Sequence, residues 1–192
     1  MRCDWAKNNS LLQKYHDEEW GTPVHDDQLL FEHFTLDVFQ AGLSWLTILN
    51  KRENFRKAFE QFSIEKVAGF DDQKINELIQ NPTIIRNYQK IEAAITNAKC
   101  ILEIQKQYRS FDRYIWQFAG GKPIHNAFEK LSDLPANSPQ SDSMSRELRK
   151  KGFKFVGSTI CYAFMQAVGM VNDHLTGCFR YEAIKNLTSD TE

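Results

Sequence analysis

Asp37 falls on an apolar helical stripe with Leu30, Phe34 and Ala41, at spacings of four, three and four. Around it in sequence lie Trp5, Tyr15, Trp20 and Trp45, and three of the four tryptophans sit in the first quarter of the chain. A carboxylate on a buried face is costly without a partner. One reading is an aromatic core whose acid bonds a helix N-terminus. The other is a pocket for a flat cation, which aromatic faces attract and an acid neutralises. A second constellation is split between the chain ends: Cys3 with His16, and His174 with Cys178. Thiolates and neutral imidazoles are zinc donors, yet Cys-x12-His is no zinc-finger half. Spacing alone leaves both a tetrahedral metal site and two free thiols beside two surface imidazoles open.

Three further stretches could meet a polyanion. The loop Gln40-Ala41-Gly42-Leu43-Ser44-Trp45 carries an apolar Leu43 between two helices. It reads either as an ordinary corner or as a wedge that fills the gap left by an extruded nucleotide. Asn81-Pro82-Thr83-Ile84-Ile85-Arg86 is a tight turn whose backbone N–H groups can face a phosphate, with Arg86 and Lys90 nearby, or a plain helix–helix corner. Arg146, Arg149, Lys150, Lys151 and Lys154 oppose only Glu147, as a solvated helix face or a phosphate-contacting patch.

The elements that must carry these residues read as helices throughout, with no period-2 alternation. Caps and breakers predict helices from Asn9–Ser10 to Trp20, from Asp26 or Asp27 to Gln40, and from Ser44 through Phe59. A short helix begins at Ser63, another at Asp71 or Asp72, and a long amphipathic one carries Ile91, Ala94, Ile95, Ala98, Ile101 and Leu102. Ser110 caps a helix to Phe118, residues 122–140 read as loop, residues 141–151 as helix, and residues 155–170 as a helix buried on most sides. Cys161 belongs to that core, and Cys100 lies off the stripe of its helix. The expected fold class is all-α and compact, about eight helices in one domain over residues 1–180, then a polar tail over 181–192.

The 192 residues suffice for one core or two lobes around a cleft, and a net charge of −1 excludes a global field for nucleic acid, so any DNA contact is local. The N-terminus lacks a signal peptide's apolar core and no run approaches the ~20 residues of a membrane span. Reduced thiols in the cytoplasm are the expectation.

The motifs HDEEWG at 16–21, FQAGLSW at 39–45, KRENF at 51–55, KGFKFVGSTIC at 151–161 and VNDH at 171–174 together resemble the 3-methyladenine DNA glycosylase I family, and the likeness runs over residues 1–180. The resemblance implies a helix-hairpin-helix DNA glycosylase of base-excision repair. Such an enzyme flips 3-methyladenine out of double-stranded alkylated DNA, hydrolyses its N-glycosidic bond and releases the base. It implies a structural zinc on Cys3, His16, His174 and Cys178. It implies a base pocket of Trp5, Tyr15, Trp20 and Trp45 with Asp37 as the acidic, catalytic position. The hairpin falls on the turn at 81–86, the wedge on Leu43, and DNA contacts on Arg86, Lys90 and Lys151, in a chain expected to act as a monomer. Three positions depart from the family pattern: Asp37 where Glu is typical, Leu12 where some members have an aromatic, and Pro82-Thr83 in place of a glycine-containing turn. A glycosylase of shifted alkylpurine spectrum and a non-catalytic alkylated-base binder are the alternatives, with a zinc-stabilised interaction domain behind them.

Overall fold

The computed structural model describes residues 1–189, with side chains through residue 187. In chain order the helices are α1 (Ser10–Glu18), α2 (Asp27–Gln40), α3 (Trp45–Ala58), α4 (Ile64–Ala68), α5 (Asp72–Gln80), α6 (Tyr88–Tyr108), α7 (Phe111–Ile115), α8 (Pro139–Lys150), α9 (Ser158–Ala167) and α10 (Phe179–Ser189). Ten α-helices among the described residues exceed the eight expected.

The starts follow local chemistry. Asn9 Oδ1 accepts from the Leu11 and Leu12 amides, Asp26 from Leu29, Ser44 from Thr47, Asp71 from Lys74 and Ser110 from Arg113. Each such bond satisfies an otherwise orphaned N–H and is worth about 1 kcal/mol. Ser63 holds the cap position of α4, but its hydroxyl donates to Glu65 instead of accepting a helix amide.

α2 is the centre of the molecule. It packs against α3, α6, α7 and α9, and every residue from Leu30 to Phe39 is buried. The expected single stripe is therefore wrong for this helix, because neighbours cover it on all sides. Leu30, Phe34 and Asp37 are buried as part of that whole, while Ala41 is only half-buried.

Two close approaches place the N-terminal segment on α9. The Gly21 amide donates to the Gln166 carbonyl at 3.0 Å and the Val24 amide to the Val168 carbonyl at 3.1 Å. Gly169 lies beneath this crossing at φ +73°, and a Cβ there would sit 2.5 Å from Pro23 N, so only glycine fits.

Two regions depart from the expectation. Ile124–His125 (β1) pairs in parallel with Val171–Asn172 (β2), a two-residue bridge too short to leave an alternation in the sequence. The segment expected as a polar tail from residue 181 is helical through Ser189, because Tyr181 and Ile184 bury one side of α10. Residues 190–192 of that expected tail lie outside the described residues.

Candidate functional site

Helices α1, α2, α3 and α9 enclose a cavity of about 250 Å³. Trp5, Tyr15, Trp20, Asp37 and Trp45, the five residues singled out as a possible pocket, all line it. The Trp5 ring meets the Trp20 ring edge-on at 5.1 Å, and Tyr15 tilts against Trp45 at 5.2 Å. These contacts fix the aromatic walls against one another. Leu12, at the departing position, packs against the cluster of Tyr15, Trp20 and Leu49.

Asp37 reaches the cavity from the last turn of α2. It is 4% exposed, and its Oδ2 has no hydrogen-bond partner. Burial pushes its carboxyl well above the usual range. The Trp45 Nε1–H is likewise buried and unbonded. Tyr15 is pushed up by burial and by the nearby Asp37 and Glu19 carboxylates, which keeps the phenol neutral. The cavity thus offers π faces, an unpaired acid and a free donor, which suits a flat cation with polar edges.

Sequence reasoning missed the remaining walls. Gln40 stands in the sequence only as part of the loop motif, and Ala163, Gln166 and Ala167 come from a helix that reads as plain core. Leu131 and Leu134 come from the 122–138 loop, which the β1–β2 bridge and a bond from the Thr176 amide to the Phe128 carbonyl hold in place. No local signal marks these residues.

Directly behind the Trp5 and Trp20 rings, Cys3, His16, His174 and Cys178 converge, all buried, with their candidate ligand atoms within 4.8 Å of one another. His16 Nδ1 lies 2.7 Å from Asp17 Oδ1 and His174 Nε2 lies 2.9 Å from the Trp20 carbonyl. Those oxygens only accept, so both protons sit on these nitrogens and the opposite nitrogens turn lone pairs toward the sulfurs. Cys178 Sγ is 3.4 Å from His16 Nε2 and 3.7 Å from His174 Nδ1, and Cys3 Sγ is 3.8 Å from His174 Nδ1. Tetrahedral zinc, with bonds of about 2.3 Å to sulfur and 2.0 Å to nitrogen, needs donor separations of roughly 3.3–3.8 Å. The donor types, their spacing and the partners behind each imidazole fit that ion. The Cys3 thiol bonds Cys178 and draws it toward thiolate, while the same contact and burial push Cys3 up.

A family model for methyladenine glycosylases matches residues 5–181. The chain belongs to the methyladenine glycosylase family. It is 45% identical over 184 residues to DNA-3-methyladenine glycosylase 1 of Escherichia coli (strain K12), covering 96% of this chain and 98% of that protein. Identity to the DNA-3-methyladenine glycosylase of Haemophilus influenzae is 45% over 177 residues, 92% of this chain and 96% of the relative. A crystal structure of 3-methyladenine DNA glycosylase I superimposes with a TM-score of 0.91 at 46% identity, covering 93% of this chain and 98% of that one. The Staphylococcus aureus 3-methyladenine DNA glycosylase I, solved for its recognition of 3-methyladenine, gives 0.90 at 35% identity, covering 93% and 95%.

In this family member, the residues expected to meet DNA divide. Leu43 is 40% exposed at the α2–α3 corner, where Gly42 takes φ +81°. Arg86 is exposed in the α5–α6 turn, which Asn81 closes by accepting from the Thr83 amide and hydroxyl. The Lys151 ammonium lies over the Tyr108 and Tyr114 rings at 5.2 and 5.1 Å, at the C-terminal end of α6 and about 30 Å of helix from the α5–α6 turn, so the fold does not bring it together with Arg86. Lys90 is a correction. It is 6% exposed, and its ammonium donates to the Phe39 carbonyl at 2.9 Å and the Ala41 carbonyl at 2.6 Å, so it faces inward and not toward a phosphate. Burial lowers its pKa. Its position on the first turn of α6 suggested a surface cation, but that turn packs beneath the end of α2. With Lys51, which donates to the Thr83 carbonyl at 3.1 Å, it ties the Leu43 corner to the α5–α6 turn.

Proposed function

We infer that this chain is a DNA-3-methyladenine glycosylase, a hydrolase that excises 3-methyladenine from alkylated DNA in base-excision repair. The observation that carries the reading is the buried, unpaired Asp37 facing an aromatic-walled cavity of base size. Adenine methylated at N3 within DNA is cationic, and the base becomes neutral as it leaves. The C1′–N9 bond breaks with its electron pair going to the base, and water adds to C1′ and yields its proton to solvent. A neutral leaving group needs little acid help. The protein's task is then to extrude the nucleotide and hold the altered base where the bond weakens. Trp5, Tyr15, Trp20 and Trp45 select a flat cation, and Asp37, ionised once that cation enters, stabilises positive charge on base and sugar.

In this reading Leu43 fills the gap left in the duplex, and α5, the 81–87 turn and α6 form a helix-hairpin-helix that sets backbone amides and Arg86 against a phosphate. In this reading the chain acts as a monomer. A DNA substrate and thiol ligands suit a reducing cytoplasm.

Zinc on Cys3, His16, His174 and Cys178 would be structural, since four protein donors leave no position for water. It would clip both chain ends behind Trp5 and Trp20. Purified protein should carry about one zinc per chain. Cys178→Ser should lower both the zinc content and the melting temperature, and a metal-free wild type rules the clip out.

The deciding experiment is incubation of methylated duplex DNA with the protein and chromatographic identification of released bases. Free 3-methyladenine is expected. Release of only other alkylpurines would replace the substrate, and binding without release would replace the enzyme with a damage-binding protein.

A further inference from the structure

The cavity holds a second acceptor beside Asp37. Gln166, near the end of α9, is half-buried in its wall. Its Nε2 donates to Asp173 Oδ2 at 2.8 Å. Asp173 is 1% exposed and also accepts from the Tyr162 hydroxyl and from Asn126 Nδ2, both at 2.7 Å. A carboxylate presents acceptors only, so the Gln166 amide must turn its NH2 toward Asp173 and its oxygen away. The reverse orientation would face oxygen to oxygen across a buried contact. The backbone of Gln166 is pinned too, by the bond from the Gly21 amide to its carbonyl. The neighbouring wall residues of α9, Ala163 and Ala167, carry only methyl groups and leave the amide uncovered.

The orientation matters because Asp37 is ambiguous. Burial favours its protonated form, and a neutral carboxyl can donate to an oxygen as readily as accept from an amino group. The Gln166 oxygen cannot switch. We infer that Gln166 is a specificity-determining residue, whose amide oxygen, set outward by Asp173, accepts from the exocyclic amino group of the flipped base and rejects a purine bearing oxygen at that position. A 6-amino purine offers two N–H donors there. A 6-oxo purine offers lone pairs, leaving two acceptors facing each other without solvent. The inference rests on the alkylated-base reading of the cavity.

The test titrates free 3-methyladenine and its 6-oxo counterpart, 3-methylhypoxanthine, against the wild type and Gln166→Met, following the fluorescence of the cavity tryptophans. Methionine keeps the length and removes both amide groups. Wild type should prefer the 6-amino base by roughly tenfold or more, and Gln166→Met should lose most of that ratio by weakening the amino base alone. Equal weakening of both ligands marks a purely structural residue and overturns the inference, as does an unchanged ratio. If the variant does not fold, the wild type decides through release of 3-methyladenine against 3-methylguanine from methylated DNA. Release without an amino preference sinks this inference alone, whereas no base release at all sinks the glycosylase reading.

Discussion

Glu32 and Asp37 stand on the same helix, both 4% exposed, in opposite surroundings. Glu32 accepts from Arg52 Nε at 2.6 Å and from Arg56 Nε at 3.0 Å, and Arg52 continues to Glu19 at 2.6 Å. This ionic network locks the N-terminal half of α2 to α3 and to the end of α1, one residue before Trp20. Next to it, His33 is pulled down to about 3 by burial and by the two guanidiniums, so it stays neutral. Asp37 has no counter-charge, and one of its oxygens has no partner. A buried acid paired on the spot is architecture. One left unpaired at a cavity is held by the fold around it for a ligand that supplies the missing charge.

The largest effect that separates the two acids is on stability. Glu32→Ala strands Arg52 in a buried site and should cost about 3–5 kcal/mol in urea unfolding, with little change in affinity for free 3-methyladenine. A comparable loss of stability on replacing Asp37 would erase the contrast.

The converse is catalytic. Asp37→Asn should lower 3-methyladenine excision at saturating DNA by ~10²–10³-fold while folding as well as the wild type. Unchanged turnover removes the electrostatic role. Lys90 sharpens the comparison from a third side, because it grips the Asp37 end of α2 through backbone carbonyls and leaves the acid free. Lys90→Met should cost about 2 kcal/mol, and Lys90→Arg should restore only part of it, since a planar fork does not reproduce the two bonds of a compact ammonium. Thermal unfolding reads both.

The smallest effect is a slope. With its pKa raised on folding, Asp37 keeps its proton in the native state where the unfolded chain has released it. The native state therefore binds more protons, and stability falls as pH rises above the ordinary carboxylate range toward the raised value. Asp37→Asn lacks this loss, so its stability relative to the wild type should rise with pH from about pH 4 toward neutrality. Parallel melting curves across that window would mean the carboxyl finds a partner in solution.

Much of this was legible without coordinates because it is local. Asn9, Asp26, Ser44, Asp71 and Ser110 announce their helices through caps that need only the next three residues. The apolar periodicity of α6 likewise follows from its own turn. The odd placement of Asp37 among tryptophans was visible, and the motifs carried the family. Tertiary structure alone decided what depends on distant partners. Lys90 looks like a surface cation until the end of α2 closes over it. Gln166 looks like a core-helix residue until Asp173 orients its amide. α10 reads as a polar tail until Tyr181 and Ile184 find the core. Cys3 and Cys178 become one site only when the ends of the chain meet. Burial, pairing and amide orientation depend on neighbours far away in sequence, and no local pattern records which of them arrive.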